Sequence, residues 1–90
     1  TPLHFAAKYD LDDAVKELLS RGADISAVDE QGWTPLHEAC AMGSRACVTL
    51  LLTAGSDIEA QVPNTDRPLH IALINERENV ALALLEAGAD

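Results

Sequence analysis

Apolar residues fall along this chain in helical phase rather than in strand-like alternation. Leu3, Ala6 and Ala7 recur at the spacing that puts side chains on one face of a helix. After a polar break near Asp10, a second apolar face runs through Ala14, Val15, Leu18 and Leu19. The same two-part phrase then returns. Leu36, Ala39 and Cys40 are followed by Cys47, Val48, Leu51 and Leu52, and Leu69, Ala72 and Leu73 by Val80, Ala81, Leu84 and Leu85. The pattern predicts first helices near Pro2–Tyr9, Pro35–Met42 and Pro68–Asn75. Second helices are predicted near Asp12–Arg21, Arg45–Ala54 and Glu78–Ala87.

The boundaries have physical causes. Thr1 and Thr34 stand before Pro2 and Pro35, so a hydroxyl can cap a free backbone N–H while proline takes the first helical position. Gly22, Gly55 and Gly88 end the second helices, as expected of a residue that accepts left-handed backbone. The inter-helix break is Asp10, Gly43 and Glu76 in turn. Aspartate tolerates such a turn better than glutamate, so the third copy is where a different turn is expected. The stretch from Ala23 to Trp33 reads as extended and turn-rich, with Asp29-Glu30-Gln31-Gly32 as a tight turn.

These phrases are copies of one unit. Thr1-Pro2-Leu3-His4 and Thr34-Pro35-Leu36-His37 are 33 residues apart, and Arg67-Pro68-Leu69-His70 follows after another 33. Asp24, Asp57 and Asp90 keep the same phase. The 90 residues therefore form one domain of repeats 1–33, 34–66 and 67–90. Two short helices cannot bury their apolar faces alone, so the units must stack and share a core. With 48% hydrophobic but only 3% aromatic residues, that core is aliphatic. An all-α solenoid is the fold this predicts.

Charge narrows the function. Lys and Arg number 6 against 15 Asp and Glu, a net charge of −9. Nucleic-acid binding needs clustered Lys and Arg, so it is not expected. No apolar run nears the length of a membrane span, so no membrane insertion is expected. No signal peptide is visible, and two cysteines make no disulfide framework. The expected setting is intracellular, cytoplasmic or nuclear.

The period, the Thr-Pro-Leu-His-x-Ala signature and the paired leucines of the second helix resemble the ankyrin repeat family across the whole chain. The second repeat, from Asp29 through Ala39 to Asp57, carries the likeness most fully. The resemblance implies stacked helix-turn-helix units with projecting β-hairpins, and protein–protein recognition as the usual activity. It implies a partner-binding stripe from the hairpin positions Glu30, Gln31, Trp33, Asn64 and Asp66. With them go the ends of the first helices: Lys8 and Tyr9, Ala41 and Met42, Ile74 and Asn75. The partner is another protein, with a basic surface favoured by the acidic balance. Neighbouring repeats of a longer array are further partners. The alternative is a structural or autoinhibitory segment of a larger enzyme or adaptor, bound within its own chain. For Trp33, bracing the hairpin and binding a partner both stand open.

Catalytic and metal readings are weaker. His4, His37 and His70 hold equivalent positions on stacked helices, so their rings run parallel rather than converging on one ion. Each is expected to bond backbone or the Thr hydroxyl near its helix start. His37 and Cys40 lie three apart, but Cys40 aligns with Ala7 and Leu73, which are core-type. Cys47 aligns with Ala14 and Val80 and reads as core too. Asp10, Asp12 and Asp13 lack the further ligands of a calcium loop and suit the start of the second helix. No enzyme activity and no cofactor are expected.

Two expectations concern stability. Arg67 cannot cap as Thr34 does, so the 62–67 segment should be the weak point, with Thr65 or Asp66 taking over the cap and moving the helix start. The chain also reads as a slice of a longer array. Its third copy offers Ile71, Ile74, Val80, Leu82 and the Leu84-Leu85 pair where an end repeat wants a polar face. Marginal stability or self-association is expected.

Overall fold

The computed structural model describes residues 1–58 and 67–88. Among them six helices occur: α1 (Pro2–Lys8), α2 (Asp12–Ser20), α3 (Pro35–Met42), α4 (Arg45–Thr53), α5 (Pro68–Ile74) and α6 (Glu78–Glu86). Each agrees with its sequence-predicted counterpart to within a residue. The first helices α1, α3 and α5 pack side by side in one layer, and α2, α4 and α6 in another.

The helix starts follow the sequence. Thr1 and Thr34 accept the backbone N–H groups of His4 and His37 on their hydroxyls, with proline opening each helix. Arg67 gives α5 no side-chain cap, yet α5 still begins at Pro68, so the expected shift of the start does not occur. The constrained φ of proline and the packing of α5 on α3 keep the register. Thr65 and Asp66 lie outside the described residues.

The helix ends repeat one device. Asp10, Gly43 and Glu76 take φ of +59°, +77° and +57°. The next residue then returns its N–H to the carbonyl five back: Leu11 to Ala6 at 2.9 Å, Ser44 to Ala39 at 3.0 Å, Arg77 to Ala72 at 2.8 Å. The different turn expected for the third copy is therefore absent. Glu76 adopts the same left-handed backbone as Gly43, because the helices on both sides fix the turn. The hydrogen bonds and packing around it offset a strain of about 1–2 kcal/mol.

The core runs continuously through the stack. Leu3, Val15, Leu36, Val48, Leu51, Val80 and Leu84 are each 1% exposed or less. Ile71 is buried as well at 2%, so Ile71, Val80 and Leu84 do not form the outer apolar face expected of the third copy. They belong to the shared core. Ile74, Leu82 and Leu85 do lie open. The opposite correction applies to Leu73: it aligns with two core residues but is 56% exposed.

Between α2 and α3 the chain turns without forming a strand, and no strand occurs among the described residues. The implied hairpin is here a closed turn. Gly32 donates to the Asp29 carbonyl at 3.0 Å, and Asp29 donates to the Trp33 carbonyl at 3.0 Å. Gly32, at φ +83°, supplies the left-handed backbone that closes it.

Candidate partner-binding surface

The histidines build the frame on which the surface sits. His4 Nε2 lies 2.6 Å from the Trp33 carbonyl, and a carbonyl only accepts, so Nε2 carries the proton. Nδ1 is then the acceptor for the Thr1 hydroxyl at 2.6 Å. His37 Nδ1 accepts from the Thr34 N–H at 3.1 Å and lies 2.7 Å from the Thr34 hydroxyl. His37 thus closes a capping box, with imidazole in the role more often filled by Glu or Gln. The structural reading of these two rings holds. His70 departs from it: the ring is exposed and Arg67 replaces the threonine it would bond.

Cys40 is fully buried, and burial pushes its thiol up to about 12. Cys47 is also raised, first by burial and then by the nearby Asp10 and Asp12, against a lowering contact from Ser44. Both cysteines are free and neither is a competent nucleophile at neutral pH. Among the described residues no group of three His, Cys, Asp or Glu side chains could hold a metal ion.

The candidate surface lies along the C-terminal ends of α1, α3 and α5. Packing of these helices on one another brings Lys8 and Tyr9, Ala41 and Met42, and Ile74 and Asn75 into one row. Tyr9, Met42 and Ile74 are 54%, 45% and 68% exposed. Lys8 Nζ lies 5.6 Å from the centre of the Tyr9 ring, while Asn75 turns its amide back to the Ile71 carbonyl at 2.8 Å. Ala41 is half-buried, and the Gly43 turn beyond it bounds the row.

Phe5 was not legible as part of this surface. It is 60% exposed and its ring centre lies 4.7 Å from that of Tyr9, a tilted aromatic pair. Its in-phase counterparts are Glu38 and Ile71, so the repeat gives no consistent signal there. Asp10 is the turn residue that its phase predicts, and it makes a contact that the sequence does not mark. Its carboxylate accepts from the Ser44 hydroxyl of the next repeat.

The turn residues stand at the other end of α3, about 12 Å away for a helix of eight residues. Glu30 and Gln31 are exposed, and with Thr1, Val28 and Asp29 they line an open recess of about 470 Å3. Trp33 is half-buried against the core, its ring centre 6.0 Å from that of His37. It therefore braces the turn while showing an edge to solvent. The predicted residues Asn64 and Asp66 lie outside the described residues.

The architecture defines a class of protein: a solenoid of stacked helix-turn-helix units whose first helices form an open layer. A family model for ankyrin repeats, in three copies, matches residues 3–90. The chain belongs to the ankyrin repeat family. A comparison with curated proteins found no match.

Proposed function

We infer that this chain acts, as ankyrin repeats in general do, as a protein–protein interaction module. We propose that this chain binds a partner protein along the row formed by Tyr9, Met42 and Ile74, extended toward Glu30, Gln31 and Trp33. The observation that carries this reading is the exposure of three large apolar side chains on successive packed helices. Lone exposed apolar residues are ordinary, but a row of them on a rigid layer offers anchors of the kind that dominate interfaces. Phe5 enlarges the Tyr9 end.

Acidic groups edge the row. Asp10 follows Tyr9, Glu76 follows Asn75, and Glu30 stands at the turn. With a net charge of −9 this favours a basic partner and faster encounter at low salt. Asn64 and Asp66 belong to the same proposed stripe by sequence phase. The role is recognition rather than catalysis: among the described residues the two bonded histidines and the raised Cys40 thiol form no base-and-nucleophile pair. Two free thiols fit an intracellular setting.

The test is affinity capture with Trp33→Ala and Met42→Ala against wild type, folding being checked by circular dichroism. Loss of the captured protein by both folded variants supports the stripe. Full retention by both, with loss on changing Lys16 or Arg21 of the second-helix layer, overturns it. A captured partner should also dissociate as salt rises.

A further inference from the structure

Three residues of the chain carry sulfur, Cys40, Met42 and Cys47, and the fold places them differently. Both cysteines are 0% exposed, inside the core that the repeats share. Burial pushes the Cys40 thiol up to about 12 and raises that of Cys47 as well. An oxidant attacks the thiolate, so neither group is open to it near neutral pH. Met42 is the last residue of α3 and 45% exposed, and it is the only methionine. A thioether has no proton to lose, so its oxidation depends on access and not on ionisation. Access singles out Met42.

Its position gives the reaction a consequence. Met42 holds the place in the second repeat that Tyr9 holds in the first and Asn75 in the third. Its helix packs on both α1 and α5, so it is the middle anchor of the row that runs from Tyr9 to Ile74. The side chain is no part of the core. A change in its polarity therefore alters the row and leaves the packing beneath it in place.

We propose that Met42 is an oxidation site whose sulfoxide loosens the hold of the row on its partner; this second half rests on the function proposed above. The oxidant is a peroxide. The sulfur lone pair attacks one peroxide oxygen, the O–O bond breaks as the S–O bond forms, and the other oxygen leaves with the proton as water. Sulfur gives up two electrons and the peroxide takes them. The product is a polar acceptor where an apolar group stood. A partner that covers Met42 with apolar surface then buries that acceptor unmatched, which weakens binding by about tenfold or more. The change is reversible, since a dithiol supplies the two electrons that return the sulfoxide oxygen to water through methionine sulfoxide reductase.

The test treats the folded chain with hydrogen peroxide and locates added oxygen by tandem mass spectrometry of its peptides. Met42 should gain one oxygen atom while Cys40 and Cys47 stay unmodified. The rate should be flat between about pH 6 and 8, where oxidation of a thiol would climb. Circular dichroism should not change, and the oxidised chain should leave a hydrophobic-interaction column earlier. Reductases for both sulfoxide epimers should restore mass and retention together. For the binding half the probe is the protein captured by reduced wild type, purified. Oxidised wild type should bind it about tenfold or more weakly. Met42→Leu should show no difference between treated and untreated samples. Oxidation of a thiol ahead of Met42, loss of the helical signal once Met42 is oxidised, unchanged affinity of oxidised wild type, or an equal loss by treated Met42→Leu would each overturn the proposal. Reduced wild type that captures nothing overturns the row instead, and the peptide masses and the column still decide the oxidation site.

Discussion

The two junctions of the stack join like helices with unlike chemistry. At the first, His4 donates to the Trp33 carbonyl and the Ser44 hydroxyl donates to Asp10. At the second, Arg77 donates from Nε to the Ala41 carbonyl at 3.0 Å and lays its stem over Gly43. A Cβ on Gly43 would stand 2.7 Å from Arg77 Cδ. The same place in the repeat is thus a polar pair in one junction and a glycine under an arginine in the other. A residue at this turn is chosen together with its neighbour in the next repeat, so repeats are not freely interchangeable.

The largest contrast is between His37 and His70. His37 is fully buried, holds the Thr34 cap and sits at the centre of the stack. His37→Ala should lower stability by about 2–3 kcal/mol, from lost packing and an orphaned cap. His70→Ala should change it by less than about 0.5 kcal/mol, since an exposed ring carries neither. Urea unfolding followed by circular dichroism compares them. Equal losses would mean that the position matters for the helix alone and not for the junction.

Next come the inter-helix turns. Gly43→Ala should cost about 1–2 kcal/mol, from left-handed backbone on a residue with a Cβ and from displacement of Arg77. Adding Arg77→Ala should recover only the steric part. The reverse change separates the junctions. Glu76→Gly should stabilise by about 1 kcal/mol, because it relieves the backbone at an exposed side chain. Asp10→Gly relieves the same backbone but loses the acceptor for Ser44, worth about 1 kcal/mol, so it should come out near zero. Thermal melts of the two variants would show whether one substitution carries two signs.

Much of this was legible in the sequence because the repeat imposes local rules. Proline at the first helical position, Thr at the cap and Gly after the second helix act within a few residues of themselves. The six helices therefore emerged with nearly their observed bounds. The misreadings came from properties that depend on neighbours. Leu73 shares its phase with Ala7 and Cys40, yet burial there depends on a following repeat, which phase does not record. Ile71 and Val80 have the opposite history, since both are buried in the shared core. Glu76 follows the turn that its flanking helices demand rather than its own preference. The candidate surface was legible as positions through family resemblance. Phe5 joined it only when its ring was found against Tyr9, because no periodicity marks that site.

The smallest expected effect belongs to the turn that leads into α3. The Asp29 carboxylate accepts from the Gln31 N–H at 2.9 Å and the Trp33 N–H at 3.0 Å. Burial works against its ionisation, but the backbone N–H groups of Trp33 and Gln31 outweigh this. Its pKa is therefore held below the ordinary 3.8. A carboxyl lowered on folding contributes stability that is present above its unfolded value and is lost as pH falls through the folded one. The turn should thus hold at neutral pH and loosen below about 3.8. Val62 stands at the matching position before the third repeat, so that position itself carries no carboxylate. Trp33 is the only tryptophan and sits in the turn itself, which makes its fluorescence the local reporter. Other carboxylates titrate in the same range, so the measurement is the difference between wild type and Asp29→Asn. The variant should lose a small acid-dependent part of the Trp33 signal while retaining the helical circular dichroism of wild type. Identical acid profiles would show that the turn is held by its Gly32 and Asp29 backbone bonds alone, and that the carboxylate adds nothing to them.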